Sequence, residues 1–136
     1  SVLDAAAPEQ SGLVGDVSDM CRQYVRYRNA EVPLAATGYL CLTILERSAG
    51  ASERHRRAAS CKYSIDYAIL DCLGRLTSTK GGREARKAGA LPHDYPKQER
   101  AWIEETALAL TRRMADYSRD PTASREALTM NELPRP

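Results

Sequence analysis

The chain has 136 residues, of which 43% are hydrophobic and 28% are charged. This length is enough to bury one core without disulfides or a structural metal, and the composition excludes wholesale disorder. The small net charge of +2 hides an uneven distribution. The start, SVLDAAAPEQSG, lacks the basic residues and the long apolar core of a secretory signal. Because it begins with Ser1 rather than Met, we expect a piece of a longer protein.

The basic residues are concentrated in the middle of the chain. Residues 47–87 contain ten Lys or Arg against four acidic residues, a net charge of +6. By contrast, residues 1–46 carry a net charge of −3 and residues 88–136 a net charge of −1. An excess of this size attracts phosphate-bearing partners, although a solvated basic face is the alternative interpretation.

The cysteines show no spacing that is typical of a functional site. They are Cys21, Cys41, Cys61 and Cys72. None of them forms the C-x-x-C pattern of zinc and redox sites, and each falls in a segment with a helical pattern. We therefore predict four small, reduced core residues in a cytoplasmic protein. The only imidazoles, His55 and His93, are not spaced to complete a thiolate site, so we predict no metal and no cofactor.

The N-terminal part changes character near Asp16. Residues 1–15 mix small residues with Pro8 and two glycines, show no period, and are predicted to form a flexible arm. A first helix is predicted over 17–31, before Pro33. Its buried stripe is predicted to contain Val17, Met20, Cys21, Tyr24, Val25 and Arg28. Tyr24 and Tyr27, beside the arginines at 22, 26 and 28, form either a stacking and phosphate-binding face or part of the core.

The most apolar segment is 34–46, LAATGYLCLTILE, which predicts a helix that is buried on every side and central to the fold. It is shorter than the about 20 apolar residues that a membrane span needs, so no membrane association is predicted. The helix should end near residues 49–50. Gly38 in its middle costs about 1 kcal/mol relative to alanine, which predicts the close approach of a neighbouring helix.

The strongest basic cluster opens a third helix, predicted over 53–62. Four consecutive side chains, Arg54, His55, Arg56 and Arg57, fan around more than half of a helix, so most of them must meet solvent or a ligand. His55 among arginines suits a neutral hydrogen-bonding role or no role at all. Glu46, at the end of the preceding helix, is either a catalytic carboxylate or a member of a surface salt bridge.

Two further helices and a tail complete the pattern. The fourth helix is predicted to start from a Ser64 N-cap and to end in a loop at 77–82, TSTKGG. This loop lacks the GK order and the preceding strand of a phosphate-binding loop, so it is not predicted to be one. Its buried stripe is predicted to contain Ile65, Ala68, Ile69, Cys72, Leu73 and Leu76. The last helix is predicted from Pro96 to about Ser118, with Trp102 at the edge of its buried stripe. An apolar group in the tail, Leu128, Met130 and Leu133, either docks on the bundle or binds a partner.

These segments predict an all-α, single-domain helical bundle of four main helices plus one or two short helices. The predicted organisation is a flexible arm over 1–15, the bundle over 16–120, and a tail over 121–136 that docks on the bundle in the preferred interpretation.

The order RYRNAEVPLAATGYLCLTILE, followed by a basic helix and further amphipathic helices, resembles the small bacterial HEPN-type helical domains over residues 17–118. Ribonucleases of that group carry an Arg, four to six intervening residues and a His, and Arg86 with His93 fits the long form. The resemblance implies a metal-independent ribonuclease in which His93 is the general acid or base and Arg86 stabilises charge on the phosphate. Gly89 and Pro92 interrupt the helix that this pair would need, and Lys87 replaces the expected polar residue.

Three hypotheses on function result. The preferred one is a non-catalytic helical module that contacts a protein partner, or RNA or DNA, through a basic face. The face is predicted to contain Arg54, Arg56, Arg57, Lys62, Lys80, Arg83, Arg86 and Lys87. The alternatives are the ribonuclease with Arg86 and His93 and a purely structural interaction domain. A homodimer is compatible with the pattern.

Overall fold

The computed structural model describes residues 2–50, 53–80 and 95–136. In this part of the chain it contains five α-helices and no β-strand, which confirms the predicted all-α class. The helices are α1 Val2–Arg28, α2 Leu34–Ser48, α3 His55–Tyr63, α4 Tyr67–Arg75 and α5 Lys97–Arg119. A π-helical turn, Leu76–Lys80, extends α4, and a short 3-10 helix, Met130–Glu132, lies in the tail.

The central helix is α2, which contacts α1, α3, α4 and α5. Its buried residues are Leu34, Ala35, Thr37, Gly38, Cys41, Leu42, Ile44 and Leu45. The prediction that it is buried on every side is wrong along one stripe, because Tyr39, Thr43 and Arg47 are exposed. These three lie four residues apart, so they share the side of α2 that faces solvent.

Gly38 lies where α2, the π-helical turn and α5 come together. A Cβ at this position would lie 2.8 Å from Thr77 Cγ2. It would also lie 3.2 Å from both Ile103 Cγ2 and Leu73 Cδ1. The close approach predicted from the glycine is therefore confirmed, and no side chain fits at this crossing without displacing its neighbours.

The N-terminal helix begins earlier than predicted. α1 starts at Val2 rather than near residue 17, so the segment predicted as an arm is helical from residue 2 onwards. Leu13 explains part of the difference, because its side chain is only 4% exposed and lies seven residues before buried Met20 on the same face. Gly12 and Gly15 flank Leu13 and are poor helix formers, so the sequence did not predict a helix at this point.

The buried stripe of α1 is rotated from the predicted one. The residues that face the core are Leu13, Val17, Met20, Tyr24 and Tyr27. Cys21, Val25 and Arg28, which were predicted in the stripe, are exposed. Tyr24 and Tyr27 contact each other edge to face, with ring centroids 5.9 Å apart, so they belong to the packed side of the helix rather than to a free stacking face.

α1 ends at Arg28, three residues before the predicted boundary, because Ala30 adopts the left-handed conformation with φ 59°. The amide of Glu31 donates to the carbonyl of Arg26, and that of Ala30 to Tyr27, both at 2.9 Å. This is the pair of bonds of a Schellman motif, in which the left-handed residue is usually glycine.

Replacing Ala30 with glycine is expected to stabilise the protein by about 1 kcal/mol, since the side chain is strained in the left-handed region. Gly50 provides the matched reverse substitution: it has φ 77°, and nothing within 4 Å would meet its Cβ. Gly50→Ala should therefore destabilise by a similar amount through the backbone alone. Thermal unfolding of both variants checks the pair, and a lower melting temperature for Ala30→Gly would contradict it.

Ser64 ends α3 instead of capping α4. It is left-handed, with φ 54°, and the next amide, of Ile65, donates back to the carbonyl of Ser60 at 3.0 Å. The chain then turns in an extended segment, so α4 begins at Tyr67 and not at residue 65. The predicted N-cap is wrong because the serine backbone satisfies the end of the preceding helix.

The predicted break after α4 is also displaced. The π-helical turn Leu76–Lys80 continues the helix, and Thr77 Oγ1 donates to the carbonyl of Leu73 at 2.7 Å. Buried Thr77 is thereby brought against α2. Ala68, predicted in the buried stripe, is exposed.

α5 contacts both α1 and α2, so its buried surface is wider than a single stripe. Trp102, predicted at the edge, is fully buried. Tyr117, near the end of α5, is half-buried and packs edge to face on Tyr63 with a centroid distance of 5.0 Å. The error follows from the two neighbouring helices, which cannot be read from the sequence of α5.

The tail lies against the bundle. Leu128 is buried, its amide donates to the carbonyl of Ser64, and its carbonyl accepts from the amide of Asp66, both at 2.9 Å. Met130 and Leu133 pack against the same core. The tail is thus joined to the turn between α3 and α4.

The two longest helices, α1 and α5, have 27 and 23 residues. Both carry charged residues along their length. Within the described ranges, no helix has the combination of length and apolar character that crossing a membrane requires.

All four cysteines are free and lie in helices, but only Cys41 and Cys72 are buried. The prediction of four core cysteines is wrong for Cys21 and Cys61, which are exposed on α1 and α3. Burial raises the pKa of the Cys41 thiol from 9.0 to about 12, and burial likewise raises the pKa of Cys72.

A thiol reagent at mildly alkaline pH is therefore expected to modify Cys21 and Cys61 in the folded protein and to reach Cys41 and Cys72 only after unfolding. Because the folded pKa of Cys41 lies above the unfolded value, the fold should also lose stability as the pH rises from 9.0 towards about 12. Mass spectrometry of the labelled chain, with and without denaturant, checks the first part. Equal labelling of all four thiols without denaturant would contradict it.

Candidate anion-binding cleft

The arginine cluster predicted from the sequence lies at the N-terminal end of α3. Arg54 precedes the helix with a left-handed backbone, φ 52° and ψ 42°, and Arg56 and Arg57 belong to the first turn. No side chain described here caps this end by a hydrogen bond. The unpaired amide groups and the helix dipole therefore favour an anion at the same place as the arginines.

Arg56 is held in place by carboxylates from two other helices. Its Nε lies 3.9 Å from Glu46 Oε2, and its Nη1 lies 3.5 Å from Asp71 Oδ1. The guanidinium lies against Gly74, where a Cβ would come within 2.9 Å of both terminal nitrogens. α2, α3 and α4 together thus orient this side chain. Of the two predicted roles of Glu46, the salt bridge is the one observed.

Arg57 and Tyr67 form a cation–π pair beside it. The guanidinium carbon of Arg57 lies 4.8 Å from the centroid of the Tyr67 ring. Tyr67 is the first residue of α4, and its side chain is 39% exposed. A partly exposed aromatic residue therefore lies next to the arginine cluster.

Arg54, Arg56, Arg57 and Tyr67 together line a cleft of 510 Å³, here called the arginine cleft. The charge of Arg56 is balanced by the two carboxylates that it contacts. Arg54 and Arg57 form no ion pair with any other residue that the structure describes. The planar fork of a guanidinium matches the oxygens of a phosphate. The described residues that line the cleft include no carboxylate, imidazole or thiol.

Lys62, another residue of the predicted basic face, is not among the described residues that line the arginine cleft. The ammonium group of Lys62 donates to the carbonyl of Ser48 at 2.9 Å and lies over the rings of Tyr63 and Tyr117. It therefore stabilises the junction of α2, α3 and α5. His55 is exposed in the first turn of α3 and does not line the cleft.

Several predicted site residues cannot be placed in the structure. The side chain of Lys80, and the residues Arg83, Arg86, Lys87 and His93, lie outside the described residues. Both members of the proposed ribonuclease pair are among them. Among the residues that the structure does describe, no group of three or more His, Cys, Asp or Glu side chains is arranged to hold a metal ion.

Sequence reasoning missed the members of the cleft that come from outside the arginine cluster. Tyr67 and Asp71 were not among the predicted site residues. Gly74 was not singled out either. A glycine inside a helix lowers stability relative to alanine, and this cost was the available signal that a neighbouring group approaches closely. The same signal correctly identified the crossing at Gly38.

A second cleft, of 380 Å³, lies between the end of α1 and the start of α5. Tyr27 Oη donates to Glu104 Oε2 at 2.8 Å, and Arg28 Nη1 lies 3.5 Å from the same oxygen. Burial and then this hydrogen bond raise the pKa of the Tyr27 phenol above its usual value. The Glu104 carboxylate of this second cleft is already bonded to a phenol and paired with a guanidinium. The second cleft therefore offers a ligand less unpaired charge than the arginine cleft does.

Comparisons with known proteins add no family. No family model matches the chain, and neither a curated protein nor a solved structure with significant similarity was found. The resemblance to HEPN-type domains therefore stays a prediction.

Proposed function

We propose that this chain is a non-catalytic helical module that binds nucleic acid through the arginine cleft. The observation that carries the proposal is the convergence of three guanidinium groups and one exposed aromatic ring around a single cleft. Phosphodiesters and bases are the partners that supply both an anion and a flat ring for such a surface.

The distribution of charge supports a phosphate ligand. Arg54 and Arg57 have no acidic partner among the described residues, so a bound phosphate would not have to displace a carboxylate from either. Arg56 is already oriented by Glu46 and Asp71, which lowers the entropy lost when it contacts a ligand. Binding of this kind weakens steeply as the salt concentration rises.

A cytoplasmic location is part of the proposal. All four cysteines of the chain are free, which agrees with a reducing compartment. Nucleic acid in that compartment carries the phosphodiester chemistry that the cleft would recognise.

Replacing Arg54 and Arg57 together with alanine is expected to weaken the binding of a labelled RNA or DNA oligonucleotide by about tenfold or more at moderate salt. The slope of log affinity against log salt should fall by about 2, because each lost phosphate contact removes roughly one unit. Arg56 is left intact, since its removal would break its ion pairs with Glu46 and Asp71. Fluorescence anisotropy across a salt series provides both quantities.

The matched control replaces Arg26 and Arg112, two exposed arginines outside the arginine cleft, with alanine. It changes the net charge by the same amount and is expected to alter affinity by less than about twofold. Equal losses in the two double variants would mean that binding is not localised at the cleft. Absence of binding by the unmodified chain at low salt would overturn the proposal and leave a protein partner as the alternative.

A further inference from the structure

We propose that the arginine cleft holds an unpaired nucleotide, with its base stacked on Tyr67 and its phosphate on Arg54 and Arg57. The chain would then select single-stranded over double-stranded nucleic acid. This inference rests on the proposed function and adds the class of ligand that the cleft accepts.

The first support is the position of the aromatic ring. Tyr67 is 39% exposed although it lies at the start of α4 beside the buried residues Ile69 and Leu70. The guanidinium of Arg57 lies over one face of the ring, so a base stacked on the other face would lie close to a phosphate-binding group. In a duplex both faces of each base are covered by neighbouring bases, whereas an unpaired base has a face free to stack.

The second support is the size of the cleft. Its volume of 510 Å³ lies within the roughly 300–1,000 Å³ that is usual for small-molecule sites. One nucleotide unit is a ligand of that scale. A duplex, by contrast, presents its phosphates along two strands separated by a groove of about 12 Å, and it would meet this compact cluster at a single point.

The third support is the set of carboxylates that contact a lining arginine or directly precede a lining residue in the sequence. Glu46 and Asp71 contact Arg56, the exposed Glu53 immediately precedes Arg54, and Asp66 immediately precedes Tyr67. A stiff duplex carries one charge per about 1.7 Å of its axis, so phosphates beside the bound one would approach these carboxylates. A flexible single strand can turn away after one nucleotide and avoid that repulsion. The surroundings therefore favour an isolated nucleotide over an extended polyanion.

The test compares four labelled probes of one sequence: single-stranded RNA, single-stranded DNA, the DNA duplex, and the DNA single strand with abasic sites in place of its bases. The abasic strand keeps every phosphate and removes the stacking partners. The unmodified chain is expected to bind the single strands at least about tenfold more tightly than the duplex, and to lose about tenfold in affinity on the abasic strand. The RNA and DNA arms show whether the ribose hydroxyl matters.

Tyr67→Leu removes the aromatic face, and it should weaken single-strand binding by about tenfold while leaving binding of the abasic strand unchanged. Tyr67→Phe keeps the ring and should bind within about twofold of the unmodified chain. Tyr39→Leu, at another exposed tyrosine, on α2, is the matched control and should have no effect. If Tyr67→Leu does not fold, the abasic strand with the unmodified chain decides the question.

Equal affinity for single strand and duplex, or for normal and abasic strands, would overturn the inference. In that case a loss of binding in the Arg54 and Arg57 double variant would still uphold the proposed function. If none of the probes binds at low salt, both proposals fail together. The two failures are therefore distinguished within one set of measurements.

Discussion

Replacing Gly38 with valine is expected to lower the free energy of unfolding by about 3 kcal/mol, one of the two largest effects we predict. The new Cβ would lie 2.8 Å from Thr77 Cγ2, well inside van der Waals contact. The two additional methyl groups would press into the same crossing of α2, the π-helical turn and α5. Alanine at this position should cost less, since its higher helix propensity offsets about 1 kcal/mol of the clash.

Gly15→Ala is the control for this substitution. Gly15 lies inside α1, and nothing within 4 Å would meet a Cβ there, so alanine should stabilise by about 1 kcal/mol through propensity alone. Urea unfolding followed by fluorescence of the single tryptophan, Trp102, measures both variants. Thr77→Ser removes the nearest carbon and should restore part of the stability of Gly38→Ala. A valine variant as stable as the unmodified chain would show that the helices separate freely at this crossing.

Replacing Arg113 with alanine is expected to cost about 3 kcal/mol and to release the tail from the bundle. Nη1 of Arg113 donates to the carbonyls of Tyr63, Ser64 and Glu126 at 3.1, 2.9 and 3.0 Å. One side chain of α5 thus joins the end of α3 to the residues that precede Leu128. Its loss would leave carbonyl groups in a half-buried position without their charged donor, which costs more than the net value of an ordinary hydrogen bond.

Hydrogen exchange of two amides measures the release of the tail. The amides of Asp66 and Leu128 pair the turn after α3 with the tail, and both should exchange faster in Arg113→Ala. Arg112→Ala is the control, because Arg112 is exposed on the same helix and should change stability by no more than about 0.5 kcal/mol. Unchanged exchange at Leu128 would mean that apolar packing alone holds the tail.

The positions of four of the five helices followed from periodicity and from proline and glycine boundaries to within a few residues. The position of α2 was predicted correctly because its run of apolar residues is too long for a typical strand and indicates a buried helix. α1 was predicted too short because glycines flank Leu13 and Val14, and the burial of Leu13 in the core is a property of the tertiary structure. The turn at Ser64 was predicted wrongly because this serine adopts the left-handed conformation that usually requires glycine, so its residue type indicated the start of a helix and not the end of one.

By itself, the sequence determined that the chain forms helices and that a neighbouring helix approaches closely at Gly38. It also determined that most of the basic side chains just before Ala58 face outwards, since four consecutive residues cannot share one buried face. Only the tertiary structure decided which groups surround those arginines. Glu46, Tyr67, Asp71 and Gly74 come from two other helices, and helix periodicity describes one helix at a time. The arginine cleft is therefore a property of how α2, α3 and α4 pack, because the charges that balance Arg56 and the ring beside Arg57 are brought there by that packing alone.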